Sequence, residues 1–211
     1  MREIAIIDFE TTGLCAGRDR VIEVAAVIVR DGIVVATFSQ LMDPGFGIPS
    51  FISGLTGISN AMVRGKPSPE AVMPRLRAFL GAHVCVAHNA SFDQRFFNAE
   101  MALAGEAHER SFLCSMLLAR RLVAQAPNHR LGTLVQHLRL PAPAGMQAHR
   151  ALADVLMTHE LWRHLQGLLS ARLAGRALDV ALVSAIMKKP KAALAEFLAA
   201  LAKGHRLATS A

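Results

Sequence analysis

The sequence predicts a mixed α/β fold in which one sheet is flanked by helices. Apolar, β-branched segments come first, and two of them flank Asp31-Gly32, a dipeptide that strongly favours a hairpin turn. Later segments of strand length alternate with segments of helical spacing. A meander followed by alternating strands and helices is typical of a mixed sheet, and 211 residues suffice for one such domain with an appendage.

The first three strands are expected to form an antiparallel meander. Ile4–Asp8 is short and apolar, which suits a central strand that is buried on both faces. Val21–Arg30 and Ile33–Leu41 lie on either side of the predicted turn and should pair with each other. Asp43-Pro44-Gly45 and Ile48-Pro49 then indicate a loop.

Two helices are predicted between the meander and the next strand. A short helix should follow Leu55-Thr56-Gly57, and a longer one should run from Pro69 to Leu80. Ser68 suits the N-cap of the longer helix, and Pro69 suits its first position. Pro74 lies inside this segment and predicts a kink or a break there.

The second half of the chain alternates strands and helices. Val84–Ala87 is the fourth predicted strand and leads into a helix that starts near Ser91. This helix is expected to bury Phe92, Phe96, Phe97 and Leu103. The remaining predicted elements are a brief strand at Phe112-Leu113 and helices at Ser115–Leu122, Leu131–Leu138 and about Ala148–Leu169, with Pro141–Gly145 between the last two.

A basic tail is predicted to follow a main domain of residues 1–172. Residues 162–211 carry 8 Lys/Arg against 2 Asp/Glu, whereas residues 1–161 carry 15 against 14. Residues 173–211 should form two apolar helices, Ala177–Met187 and Pro190–Ala202. The tail could attract nucleic acid or acidic partners, or its charges could only solubilise it. Its apolar faces could pack on the main domain, or contact a polymerase or a second copy.

Composition argues against several classes of protein. No apolar stretch approaches 20 residues without a charge, so we expect no membrane span. The chain enters its first strand directly, so we expect no signal peptide. The three cysteines are widely spaced without a CxxC, which predicts neither a disulfide framework nor a structural zinc site. These features favour the cytoplasm.

Four carboxylates and one histidine stand out as candidates for chemistry. Asp8 and Glu10 should share a face at the carboxyl end of the first strand, because side chains alternate along a strand. Asp93 lies in the first turn of the helix after the fourth strand, and His149 precedes Asp154 by five residues. Each carboxylate borders an apolar run, where an uncompensated charge is costly. Paired divalent cations would compensate them, which indicates metal-assisted phosphodiester hydrolysis.

These segments also have simpler explanations when each is taken alone. Asp-x-Glu can be a pair at the surface end of a strand, and an acid such as Asp93 is favoured near a helix N-terminus by the macrodipole. A lone histidine in a loop is usually only solvated. The candidate site therefore depends on all three segments occurring together.

Taken together, the segments resemble the three motifs of the DEDD superfamily of 3′→5′ exonucleases. The branch is the one whose last motif is His-x-x-x-x-Asp, which includes the proofreading epsilon subunits of bacterial DNA polymerase III and ribonuclease T. The resemblance covers about residues 1–170. The residues that carry it are Ile6–Gly13, Leu55-Thr56-Gly57-Ile58, Ala87–Asp93 and His149–Asp154.

The resemblance implies a ribonuclease H-like fold with a five-stranded mixed sheet, and release of nucleoside monophosphates from a free 3′ end. It implies two Mg²⁺ or Mn²⁺ ions, with Asp8 as the bridging ligand, Glu10 and Asp154 completing one metal site, and Asp93 acting at the other through water. His149 would be the general base. The resemblance also implies a pocket for the terminal nucleotide. The pocket residues that it implies are Thr11, Thr12, Gly13, Leu14, Leu55, Thr56, Asn89 and Phe92.

The substrate is expected to be DNA rather than RNA, in proofreading or repair, although an exoribonuclease would have the same catalytic residues. An inactive scaffold is less favoured, because none of the five catalytic residues is missing. Phe92 is also spaced to pack on Phe96, so it could belong to the core instead of the pocket.

Overall fold

The computed structural model describes residues 1, 3–106, 110–143 and 149–209, with only the backbone for residues 206–209. It contains a five-stranded sheet in the order β3-β2-β1-β4-β5, which confirms the predicted mixed α/β class. β1 pairs antiparallel with β2 and parallel with β4. The strands are β1 (Glu3–Thr11), β2 (Val21–Arg30), β3 (Ile33–Leu41), β4 (Cys85–Ala87) and β5 (Phe112–Cys114).

The strands form where their sequences predict. β2 and β3 join through Asp31 and Gly32, whose φ angles of 50° and 80° are those that a tight hairpin turn requires at both central positions. β1 lies in the middle of the sheet, so Ile4–Ile7 are buried. β1, β4 and β5 run parallel, and their carboxyl ends therefore lie at the same edge.

Nine helices surround this sheet in the part of the chain that the structure describes. They are α1 (Ser50–Thr56), α2 (Asn60–Val63), α3 (Pro69–Leu80), α4 (Ser91–Leu103), α5 (Ser115–Leu122), α6 (Leu131–His137), α7 (Ala151–Arg172), α8 (Val180–Lys188) and α9 (Lys191–Thr209). α7 packs on β1 and β2, while α3 and α4 pack on each other and on the sheet. None of these helices is both long and apolar enough to cross a membrane.

The structure differs from the local predictions at three places. α1 occupies a segment for which no element was predicted, and Pro49 and Gly57 bound this helix of seven residues. Pro74 does not break α3, whose buried side chains on both sides of the proline, including Met73 and Leu76, hold the helix in place. Leu103 is 49% exposed because it lies beside the stripe that α4 buries rather than within it.

The tail helices pack on the rest of the fold. α8 lies against α5 and β5, and α9 lies against α7. Val183, Ile186 and Leu198 belong to the same buried cluster as β1. The parent domain therefore covers the apolar faces of the tail, while the division of the chain at residue 172 stays a prediction. Of the residues assigned to the linker before α7, Ala144 and Gly145 lie outside the described residues, as does Ala148 at its predicted start.

Candidate active site

Three of the four predicted carboxylates form one cluster. Asp8, Glu10 and Asp154 each offer an oxygen, and these oxygens lie within 4.8 Å of one another. Asp8 and Glu10 share a face of β1, and Asp154 is the fourth residue of α7, which packs against that strand. All three side chains are half-buried. The strand and the helix thus bring together acids that are more than 140 residues apart in sequence.

The fourth carboxylate lies beside the cluster rather than within it. Asp93 is 2% exposed, and its Oδ1 accepts a hydrogen bond from the backbone N–H of Phe9 at 3.3 Å. This bond ties the first turn of α4 to β1 between Asp8 and Glu10. Among the described residues, Asp93 does not belong to the three-carboxylate set.

Burial and neighbouring negative charges raise the pKa values of four carboxyls, which are those of Asp8, Glu10, Asp93 and Asp154. For Asp8, burial is the largest cause, followed by the charges of Asp93 and Glu10. Burial, followed by the charge of Asp154, raises the pKa of Glu10 to about 8. Burial also raises the pKa of Asp93, against the hydrogen bonds from backbone N–H groups. Ionised carboxylates so close together need a positive charge between them.

A divalent cation fits this donor set. The cluster offers only carboxylate oxygens, which are the ligands that hard cations such as Mg²⁺ and Mn²⁺ prefer. The pKa values of Asp8 and Glu10 are raised by burial and by repulsion between the carboxylates, which at Glu10 outweigh the opposing charge of Arg150. Asp8, Glu10 and Asp154 are therefore the residues that would hold a metal ion.

We expect the metal-free protein to lose stability as the pH rises from 6.5 to about 8. A carboxyl whose pKa is raised on folding binds its proton more tightly in the folded state. For Glu10, the contribution to the free energy of unfolding is complete below the ordinary pKa of 4.5. It is lost as the pH rises from there to the folded pKa of about 8. Burial lowers the pKa of His88 from 6.5 to about 4, so this group adds stability as the pH rises from about 4 to 6.5. The loss of stability from the carboxyls is therefore measured above pH 6.5.

The expected loss over this window is about 1–2 kcal/mol after discounting for solvent screening, or about 2–8 °C in Tm. Thermal melts in chelator at pH 6.5, 7.25 and 8 would measure it. Added Mg²⁺ or Mn²⁺ should restore the stability at pH 8. A Tm that stays constant or rises over this range in chelator would contradict the account of the carboxylates.

His149 lies next to Asp154 at the entrance of α7. It is exposed, has a left-handed φ of 60°, and precedes the N-cap Arg150. Burial raises the pKa of Asp154, and the nearby charge of His149 opposes this rise. The histidine before the helix start and the aspartate one turn inside agree with the sequence prediction. An exposed imidazole beside the carboxylates can receive a proton from solvent water.

Sequence reasoning missed a buried ion pair beside the cluster. Glu23 is 3% exposed and lies directly opposite Glu10 across the β1–β2 ladder. Its carboxylate accepts hydrogen bonds from Nε and Nη2 of Arg150, the latter at 2.7 Å, and from the N–H of Ala151 at 3.0 Å. The signal available in the sequence was a single charge inside the apolar run Val21–Val29.

The threonines predicted to bind substrate have their hydroxyls engaged in the loop after β1. The Thr11 hydroxyl donates to the carbonyl of Gly13 at 2.6 Å, and that of Thr12 accepts from the N–H of Arg20 at 2.9 Å. A Cβ on Gly13 would lie 2.5–2.8 Å from the carboxylate atoms of Asp19. Thr11 and Thr12 therefore stabilise the loop, and the group that packs closely against Gly13 is the carboxylate of Asp19.

The other predicted pocket residues differ in exposure. Leu14 is 75% exposed and Leu55 is 44% exposed, so both can contact a ligand. Thr56 is 1% exposed, and its hydroxyl bonds the carbonyl of Ile52 and the N–H of Ile58. The Thr56 side chain is therefore buried and engaged within the fold, and its place in the nucleotide pocket stays a prediction.

Asn89 lies in the turn before α4, and Phe92 precedes Asp93 in the first turn of that helix. Asn89 is exposed and has a left-handed φ of 64°. Phe92 is half-buried and stacks on Phe96 with the ring centroids 4.8 Å apart. Phe92 therefore has a packing partner in the core and also keeps some exposed surface.

Comparisons with known proteins agree with this geometry. A family model described as Exonuclease (RNase_T) matches residues 5–162. The DNA polymerase III subunit epsilon of Aquifex aeolicus is 34% identical over 158 residues, which cover 74% of this chain and 77% of that protein. The PolC-type DNA polymerase III of Halalkalibacterium halodurans is 38% identical over 163 residues. The match covers 76% of this chain but only 11% of the PolC-type protein.

Solved structures show the same fold. Exonuclease X in complex with 5′ overhanging duplex DNA superimposes with a TM-score of 0.64 at 33% identity, covering 78% of this chain and 91% of that chain. Escherichia coli Exonuclease I in complex with a dT13 oligonucleotide gives a TM-score of 0.67 at 18% identity, covering 82% and 43%. The second comparison supports the fold alone.

Proposed function

Because this chain belongs to the Exonuclease family, we propose that it hydrolyses DNA from the 3′ end and releases nucleoside monophosphates. The observation that carries the proposal is the cluster of Asp8, Glu10 and Asp154 at the carboxyl end of β1, with exposed His149 beside it. The family membership supplies the reaction class, and the carboxylates supply the site.

The carboxylates are proposed to hold two divalent cations, Mg²⁺ or Mn²⁺. Asp8 would be shared between the two positions, Glu10 and Asp154 would complete one, and Asp93 would act at the other through water. When bound, two such ions stabilise charge on the attacking and leaving oxygens of the phosphodiester. Asp8 and Glu10 lie on the strand β1, and Asp154 lies in the first turn of α7, so regular secondary structure positions all three carboxylates.

His149 is proposed to take the proton from the attacking water. Its imidazole is exposed, adjoins Asp154, and extends from the residue before the N-cap of α7. The charge of His149 acts on the carboxyl of Asp154, so the two side chains lie close together. The proton can then pass to solvent, which returns the imidazole to its neutral form.

The terminal nucleotide is proposed to contact the exposed apolar side chains of Leu14 and Leu55, with the backbone of Thr11 to Gly13 beneath it. Leu14 lies in the loop after β1, Leu55 lies in α1, and both side chains are exposed. DNA is favoured over RNA because the related proteins are DNA polymerase subunits and Exonuclease X was solved with DNA. Association with a polymerase and a place in the cytoplasm remain expectations.

The proposal is tested with end-labelled oligonucleotides. Matched single-stranded DNA and RNA, labelled at the 3′ or 5′ end, are incubated with Mg²⁺, with Mn²⁺ or with chelator. We expect loss of the 3′ label as the mononucleotide with either metal and none with chelator. His149→Ala should slow release about 10²–10⁴-fold, the range for general acid–base catalysis.

His137→Ala is the matched control, since His137 ends α6 and is not part of the cluster. Faster release from RNA than from DNA would favour the exoribonuclease alternative. Release from the 5′ end, or full activity of His149→Ala, would contradict the proposal.

A further inference from the structure

A groove of about 700 Å³ lies beside β5 and the turn after β4, where α8 meets the main fold. Its walls include Asn89 and Gln94, then Met116 and Arg120 of α5, and Ser184 and Lys188 of α8. We infer that this groove binds the substrate strand on the 5′ side of the terminal nucleotide. The inference rests on the proposed 3′-end hydrolysis, which requires the rest of the strand to leave the site in the 5′ direction.

The groove lies along the same edge of the sheet as the carboxylate cluster. β4 lies between β1 and β5, and all three strands point their carboxyl ends at this edge. Asn89 and Gln94 of the groove bracket Asp93 in the chain. A strand whose 3′ end lies at Asp8 can therefore pass over the end of β4 and enter the groove.

The chemistry of the lining suits a phosphodiester strand. None of the described residues that line the groove is a carboxylate, whereas Arg120 and Lys188 are both exposed cations. Exposed Leu117 and half-buried Met116 add apolar surface that bases can contact. Cations beside apolar surface, without acids, attract phosphates and tolerate any base.

Helix α8 holds Lys188 in this position. Asp179 caps the helix by accepting a hydrogen bond from the N–H of Leu182 at 2.8 Å, and Val183 and Ile186 are buried against the core. Ser184 and Lys188 are four residues apart, so they share a face of the helix. The family match ends at residue 162, so the tail supplies this wall from outside the matched region.

The test measures binding of 5′-fluorescein-labelled dT oligonucleotides of 2 and 12 nucleotides by anisotropy, in chelator, over a series of salt concentrations. The unmodified protein is compared with the double variant Arg120→Ala/Lys188→Ala. Because each phosphate contact on single strands contributes about 0.7 to the slope of log K against log salt, the double variant should lower the slope for the 12-mer by about 1.4. Its affinity for the 12-mer should fall about 10-fold at low salt, and that for the dinucleotide should not change.

Lys203→Ala is the matched control, because Lys203 is an exposed cation of the tail that does not line the groove. It should leave both affinities close to those of the unmodified protein. The inference is overturned if the double variant binds the 12-mer like Lys203→Ala, or if it loses affinity for both lengths equally. Failure of the proposed function would be seen separately, as absence of metal-dependent release from the 3′ end by the unmodified protein.

Discussion

Asp8→Asn is expected to lower the rate of 3′-end release by about 10³-fold or more while raising the Tm of the metal-free protein. Asp8 is the proposed shared ligand, and losing it removes about 4 kcal/mol or more of transition-state stabilisation. The amide has nearly the same shape but no charge. It therefore relieves the repulsion with Asp93 and Glu10 that raises the pKa of Asp8. The measurements are single-turnover rates in Mg²⁺ and thermal melts in chelator at pH 8.

The two opposite effects separate a ligand from a residue that only supports the fold. Replacing a residue that only supports the fold would lower both the activity and the stability of the protein. Replacing a carboxylate held under repulsion should lower the activity and raise the stability. Glu106→Gln is the matched control, since Glu106 is an exposed carboxylate that pairs with Arg77 at 2.6 Å. It should change neither quantity appreciably. Retention of near-normal rates by Asp8→Asn, or a lower Tm in chelator, would contradict the assignment.

The strands and the order of the helices could be predicted because their signals are local. Asp31-Gly32 sets the hairpin, and the alternation of side chains along β1 places Asp8 and Glu10 on one face. Asp93 and Asp154 were singled out because each borders an apolar run, and the resemblance to known exonucleases implied that they meet Asp8 and Glu10 at one site. α1 was missed because its bounding proline and glycine are also loop signals.

The partners of buried groups could not be predicted, since they depend on register and packing. Glu10 lies opposite Glu23 because of the register of β1 and β2, and that register could not be predicted from the sequence. Thr56 was predicted to line the nucleotide pocket, and the structure shows that its hydroxyl is engaged within α1 and the turn after it. Sequence identified the residues that carry charge, and the structure was needed to show which charges compensate one another.

Arg150→Met is expected to destabilise the fold by about 3 kcal/mol and to lower the rate of release by about 10²-fold. Glu23 is 3% exposed, so removal of the guanidinium leaves a buried carboxylate opposite Glu10. Among the described residues, its remaining hydrogen-bond donor is the N–H of Ala151 at 3.0 Å. Arg150 also lies between His149 and the start of α7. A shift of the imidazole by about 1 Å is enough to cost about 10²-fold in rate.

A double-mutant cycle distinguishes compensation of charge from simple loss of packing. Glu23→Gln added to Arg150→Met removes the uncompensated carboxylate, so the double variant should recover much of the lost stability. Arg30→Met is the control, because the Arg30–Glu3 pair has a similar 2.7 Å contact but side chains that are 62% and 38% exposed. Exposed pairs contribute about 0–1 kcal/mol. If Arg150→Met costs no more than Arg30→Met, the buried pair does not hold the entrance of α7, and another contact must position His149.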